Sequence, residues 1–152
     1  MTVMFTSTVM NAKKALAAAD CTGTVTQFTI SGGPVLIKHL GARTTTALPA
    51  GANTLLFSTT PSGGAAANLC AATDTASAAI NQLFVVDGVK ATALVKTTDP
   101  GISVLANEAH LPIALDPGVI QTIFSAGPPA TGALELYVQY EPLVPGATIV
   151  AS

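Results

Sequence analysis

The chain has 152 residues, a formal net charge of −2 and 9 % charged side chains, six basic and eight acidic, with two cysteines and no Trp. That is the length of one domain with room for a substantial core. The composition excludes a basic nucleic-acid surface or a base-stacking platform, and two cysteines far apart exclude a disulfide scaffold or a cysteine zinc site.

An average soluble domain carries about 25 % charged residues. Much of this surface must therefore be Thr, Ser, Ala, Gly and Asn, or be buried against other subunits. Low charge favours association, so the chain is expected to be an oligomer or part of a larger assembly.

Residues 1–20 read as an N-terminal arm of a single β domain spanning 1–152. The opening "MTVMFTSTVMNAKK" puts no cation ahead of its apolar residues, the reverse of a signal peptide. Asn11–Ala19 is Ala-rich with two Lys and no Gly or Pro, and fits a short surface helix and a β-ribbon equally. "LAAADC" at Leu16–Cys21 has the outline of a lipoprotein cleavage box, but Asp20 stands where a small residue is needed. Cys21 and Cys70 are read as small buried hydrophobes; a bridge between them requires a fold that joins them.

From Thr24 onward, period-two alternation is the dominant pattern. Thr24–Ile30 places Thr24, Thr26, Phe28 and Ile30 on one side and Val25, Gln27 and Thr29 on the other. Gly32-Gly33-Pro34 then breaks the chain before a strand at Val35–Leu40, with His39 on the side of Val35 and Ile37. Thr54–Thr59 is the next strand. The Ala/Thr/Gly-rich stretches Thr44–Thr54 and Thr60–Ala79 have too few large side chains for a core and are expected to lie flat against a partner subunit or the domain's own edge, the partner first. Within the second, Asp74–Gln82 has the N-cap and composition for two helical turns.

Leu83–Val86, Asp87-Gly88 and Val89–Lys96 spell a hairpin with a type I′ turn. Asp99-Pro100-Gly101 and Asp116-Pro117-Gly118 are turns of one spelling, each leading into an apolar run, Ile102–Leu105 and Val119–Phe124. Gly127-Pro128-Pro129 precedes the clearest strand, Ala133–Tyr140, with Leu134, Leu136, Val138 and Tyr140 facing one way. Residues 142–152 read as an apolar C-terminal interface tail. No run approaches the ~20 apolar residues of a spanning helix. The expected fold is all-β, an antiparallel β-sandwich or jelly-roll-like barrel with at most one or two short helices.

Catalytic chemistry is hard to assemble from these residues. His39 and His110 have no second His nearby, and a Glu108/His110 pair needs outside ligands to hold a metal. Ser31, Ser58, Ser62, Ser77, Ser103 and Ser125 lie outside any G-x-S-x-G elbow. Gly32-Gly33 and Gly63-Gly64 lack the Lys-Ser/Thr of a phosphate loop. Glu135, Glu141, Asp116 and Asp74 are the carboxylates left for acid–base pairing, with nothing in their spacing to pair them. No enzyme, catalytic residue, metal or cofactor is expected.

"SGGPVLIKHLGARTTTALPAGANTLLFSTTP", "NLCAATD" at Asn68–Asp74 and the ending "LELYVQYEPLVPGATIVAS" together resemble small virion structural proteins of tailed bacteriophages, of the capsid cement or decoration kind. The resemblance covers roughly residues 24–74 and the end. It implies a protein made in the host cytoplasm that binds the major capsid protein on the outside of the head and stabilises the shell. It implies a homo-oligomer, a trimer first and a dimer second, with strand addition or the C-terminal tail crossing between subunits. Neither nucleic acid nor membrane is an expected partner. The alternatives are a tail or head-fibre component and, in another class, a carbohydrate-binding β-sandwich using Tyr137 and Tyr140.

Overall fold

A computed structural model describes residues 8–51, 53–96 and 112–152. The expected turn at Asp99-Pro100-Gly101, the run Ile102–Leu105, Ser103 and the Glu108/His110 pair lie outside the described residues. The fold is an antiparallel β-sandwich of two six-stranded sheets. It is not a closed barrel.

The strands in chain order are β1 (Met10–Ala17), β2 (Gly23–Ser31), β3 (Val35–Thr46), β4 (Thr54–Pro61), β5 (Ala67–Asn68), β6 (Thr73–Asp74), β7 (Leu83–Val85), β8 (Val95–Lys96), β9 (Ile113–Leu115), β10 (Gly118–Phe124), β11 (Ala133–Pro142) and β12 (Thr148–Ala151). One sheet, A, has the order β1-β11-β3-β7-β8, with β9 also on β3. The other, B, has the order β12-β2-β10-β4-β5, with β6 also on β4. The chain passes repeatedly from one sheet to the other. Gly32-Gly33 and Asp116-Pro117-Gly118 are therefore crossings between sheets rather than hairpin turns.

Asn11–Ala19, open between helix and ribbon on composition, forms most of strand β1, paired with β11 from Met10↔Tyr140 to Ala17↔Ala133. A single 3-10 turn comes next at Ala18–Asp20, with the Asp20 carboxylate accepting from the Ala17 N–H at 2.9 Å. The helix expected over Asp74–Gln82 is absent. Asp74 ends β6, its carboxylate accepts from the Ala76 N–H, and positive φ at Ser77 and Asn81 breaks any helical run. β7 and β8 do pair, but residues 86–94 separate them, so Asp87-Gly88 does not form a tight two-residue hairpin. Asp87 instead makes an Asx turn, accepting from the Val89 N–H at 2.8 Å.

Two bulges correct the alternation read from sequence. In β2 the register against β10 slips between Ile120↔Phe28 and Gln121↔Thr26. Gln27 is the extra residue, and both Gln27 and Phe28 are buried. Thr24 and Thr26 consequently share the outer face with Thr29, not with Phe28 and Ile30. In β3 the register against β11 slips between Gln139↔His39 and Tyr140↔Ile37, with Lys38 extra. Val35 and Ile37 point inward before the bulge, Leu40 and Ala42 after it. His39 therefore lies on the outer face, opposite to the side expected. A bulge adds one residue and so shifts the period-two phase.

The core between the sheets is one cluster that includes Phe28, Phe57, Phe84, Leu136 and Tyr140. The Ala/Thr/Gly-rich stretches pack on their own domain in part, while residues 45–47 and 62–66 are exposed. Leu48, Leu69, Cys70 and Ala78 are buried, and Leu48 N–H and Ser77 N–H donate to Ala78 and Pro49 carbonyls. Thr148–Ala151, in the segment read as an interface tail, pairs with β2 from Thr148↔Ser31 to Ala151↔Phe28.

Candidate functional surface

The outer face of sheet A carries the charges. β1, β11 and β3 are adjacent, which sets Lys13 3.6 Å and Arg43 3.5 Å from the Glu135 carboxylate and Lys38 3.5 Å from Glu141. These carboxylates are thus committed to ion pairs on a solvated face, and Asp74 is committed to a backbone N–H. Tyr137 and His39 lie on the same face, with ring centroids 5.6 Å apart in an edge-on arrangement. Burial lowers the His39 pKa below its ordinary 6.5 and pushes the Tyr137 phenol up to about 12. Asn11, Lys13 and Gln139 border the shallow depression over these rings.

Tyr140, the other expected sugar platform, is 1 % exposed. Its hydroxyl accepts from the Ile149 N–H at 3.0 Å, tying β12 of sheet B to β11 of sheet A. It cannot stack on a ligand.

Cys21 and Cys70 are free and buried, with both thiols pushed up to about 11, chiefly by desolvation. Neither is a reactive nucleophile at neutral pH. Among the described residues no three His, Cys, Asp or Glu side chains come together as a metal site. An apolar cleft of about 270 Å³ opens at one end of the sandwich between Leu48, Pro49, Phe124, Pro128 and Pro129. The one amide there, Asn53, is used internally, donating to Cys21 and Gly127 carbonyls and accepting from the Ala126 N–H.

The long edges of the two sheets, β1 and β12, face each other. Lys14 points inward from β1, and its ammonium donates to the carbonyls of Thr26 and Ser152. The Tyr140 bond occupies one outward edge group of β12, the Ile149 N–H.

The remaining exposed feature is apolar. Six large hydrophobics are exposed among the described residues. Val9, Met10, Leu143 and Val144 sit beside the start of β1 and the turn between β11 and β12. Met10 is opposite Tyr140, three residues before Leu143. That turn packs on the β2–β3 crossing, where a Cβ on Gly32 or Gly33 would collide with Gly146 or Val144.

What these elements define is a class by architecture, an antiparallel β-sandwich with charge on one outer face and exposed apolar side chains at the start of β1 and in the β11–β12 turn. Compared with known proteins, the chain matches no family model, no curated protein and no solved structure.

Proposed function

We propose that the chain is a virion structural protein of the capsid cement or decoration kind. It binds the major capsid protein on the outside of a tailed-phage head and stabilises the shell through contacts between subunits. The observation that carries this reading is the exposure of Val9, Met10, Leu143 and Val144 on a chain with only 9 % charged residues. The resemblance of residues 24–74 and the C-terminal end supports it from the sequence side. Contact, rather than chemistry, is what such a surface offers. Many copies on one shell make modest individual contacts collectively strong.

Binding of the purified protein to empty phage heads tests the reading, with shell melting as the readout. The expected result is saturable binding that raises the temperature at which the shells open. Leu143→Glu and Met10→Glu, both at exposed apolar positions, should reduce that binding at least about 10-fold by burying an unpaired charge. Failure of the native protein to bind any head preparation or alter its melting overturns the proposal.

A further inference from the structure

We infer that the outer face of sheet B is a self-association surface on which a second copy of this chain stacks face to face about a two-fold axis. Strands β12, β2, β10, β4 and β5 contain no Lys, Arg, Asp or Glu. The one charge in sheet B, Asp74, is at its corner in β6. In contrast, the outer face of sheet A presents Lys13, Lys38, Arg43, Glu135 and Glu141.

Register places the face in rows. Val150, Thr29, Val119 and Thr60 lie side by side across four strands. Thr24, Ile123 and Leu56 form a second row across β2, β10 and β4. Val150 is 53 % exposed. Several hydroxyls of this face already have partners within it: Thr29 with Ser152 at 2.6 Å, Ser31 with Thr148 at 3.2 Å, and Thr60 donating to the Gln121 amide oxygen at 2.9 Å, while the Ser58 hydroxyl is already buried in the single chain. Covering the face therefore removes β-branched and aliphatic surface from water without stranding those hydroxyls or desolvating a charge.

Charge and area select the occupant. A neutral face can meet its own copy with no like-charge contact, whereas stacking two copies of the sheet A face would desolvate the ion pairs of Lys13 and Arg43 with Glu135 and of Lys38 with Glu141. Four strands at ~4.8 Å spacing, of four residues in β12 and seven to nine in β2, β10 and β4, at ~3.3 Å per residue give about 400 Å² in projection. Side-chain relief raises this to about 600 Å² per copy, so two copies bury about 1,200 Å², the lower end of a specific interface. Two such sheets pack about 10 Å apart with strands within about 30° of each other. A single flat patch closes by a two-fold axis; a three-fold ring needs two different patches. Sheet B thus favours the dimer over the trimer, and it does so whether or not the chain has a virion role.

Sedimentation of the purified full chain over a range of concentrations tests this without capsids. The expected result is a reversible equilibrium between a 15.1 kDa monomer and a species of twice that mass. Val150→Lys and Val119→Lys should each weaken it about 100-fold or more, because a two-fold axis brings each new charge in twice. Ile80→Lys, exposed elsewhere, should leave it unchanged. A monomer at every concentration, a trimer, or a dimer that survives Val150→Lys with native circular dichroism would overturn the inference.

Discussion

Gly41 shows how much a single hydrogen atom decides on this surface. It faces outward in β3, yet a Cβ there would lie 2.6 Å from the Phe84 carbonyl oxygen and 2.7 Å from the Tyr137 hydroxyl. Having no side chain at this position lets the Tyr137 ring lie across the sheet. Gly41→Ala is expected to cost about 1–3 kcal/mol through overpacking, or about 2–4 °C in Tm for each kcal/mol in a domain of this size; thermal melting reads it directly. His39 contributes a pH dependence whose sign is set by its lowered pKa. Below 6.5 the unfolded chain takes up this proton before the native chain does. Stability associated with His39 is therefore complete above 6.5 and declines as pH falls toward the lowered native value. Melting curves between about pH 7 and pH 5 should be flatter for His39→Gln than for the native chain; parallel slopes would count against a desolvated ring. His39 is legible in the sequence as a lone strand histidine. Its face is not, because the extra residue Lys38 inverts the alternation.

At the scale of elements, β12 is a short strand whose attachment is shared between the sheets. It pairs with β2 on one side and receives the Tyr140 hydroxyl on the other. Tyr140→Phe keeps the ring in the core and strands the Ile149 N–H, at an expected cost of about 1–2 kcal/mol. Denaturant midpoints measure that loss, and faster hydrogen exchange at the Ile149 amide should accompany it. A midpoint shift without faster exchange at Ile149 would place the effect elsewhere. Ala133–Tyr140 is legible from sequence because its inward and outward residues alternate without interruption. The alternation of Thr24–Ile30 misleads for the opposite reason, since Gln27 is a polar side chain turned inward to donate to the Thr122 hydroxyl at 2.6 Å. Such a residue has no signature in hydropathy.

At the scale of the whole molecule, the two thiols report on global opening. Cys21 and Cys70 are 1 % and 0 % exposed and belong to the single core cluster. A disulfide reagent at about pH 8 should consume neither thiol in the native protein and both in denaturant, because a thiol pKa near 11 leaves little thiolate and burial denies access. Rapid native reaction of either would mean that its end of the sandwich opens locally. The same scale holds the division of charge between the faces. Lys13, Lys38, Arg43, Glu135 and Glu141 are scattered through the sequence, and only the order β1-β11-β3 gathers them on one sheet.

The all-β class, most of the strands, the breaks between them and the scarcity of charge are legible in the amino-acid order alone. Those properties are local: turn residues fix backbone angles, and alternation comes from the strand's period of two. Which sheet each strand joins, where the bulges fall, which residues of the Ala/Thr/Gly-rich stretches are buried, and the neutrality of one outer face emerge only in the folded chain. These depend on pairing between residues far apart in the chain, such as Met10 with Tyr140 or Ser31 with Thr148. Pairing over that separation is set by the packing of the complete core rather than by any segment's own preference.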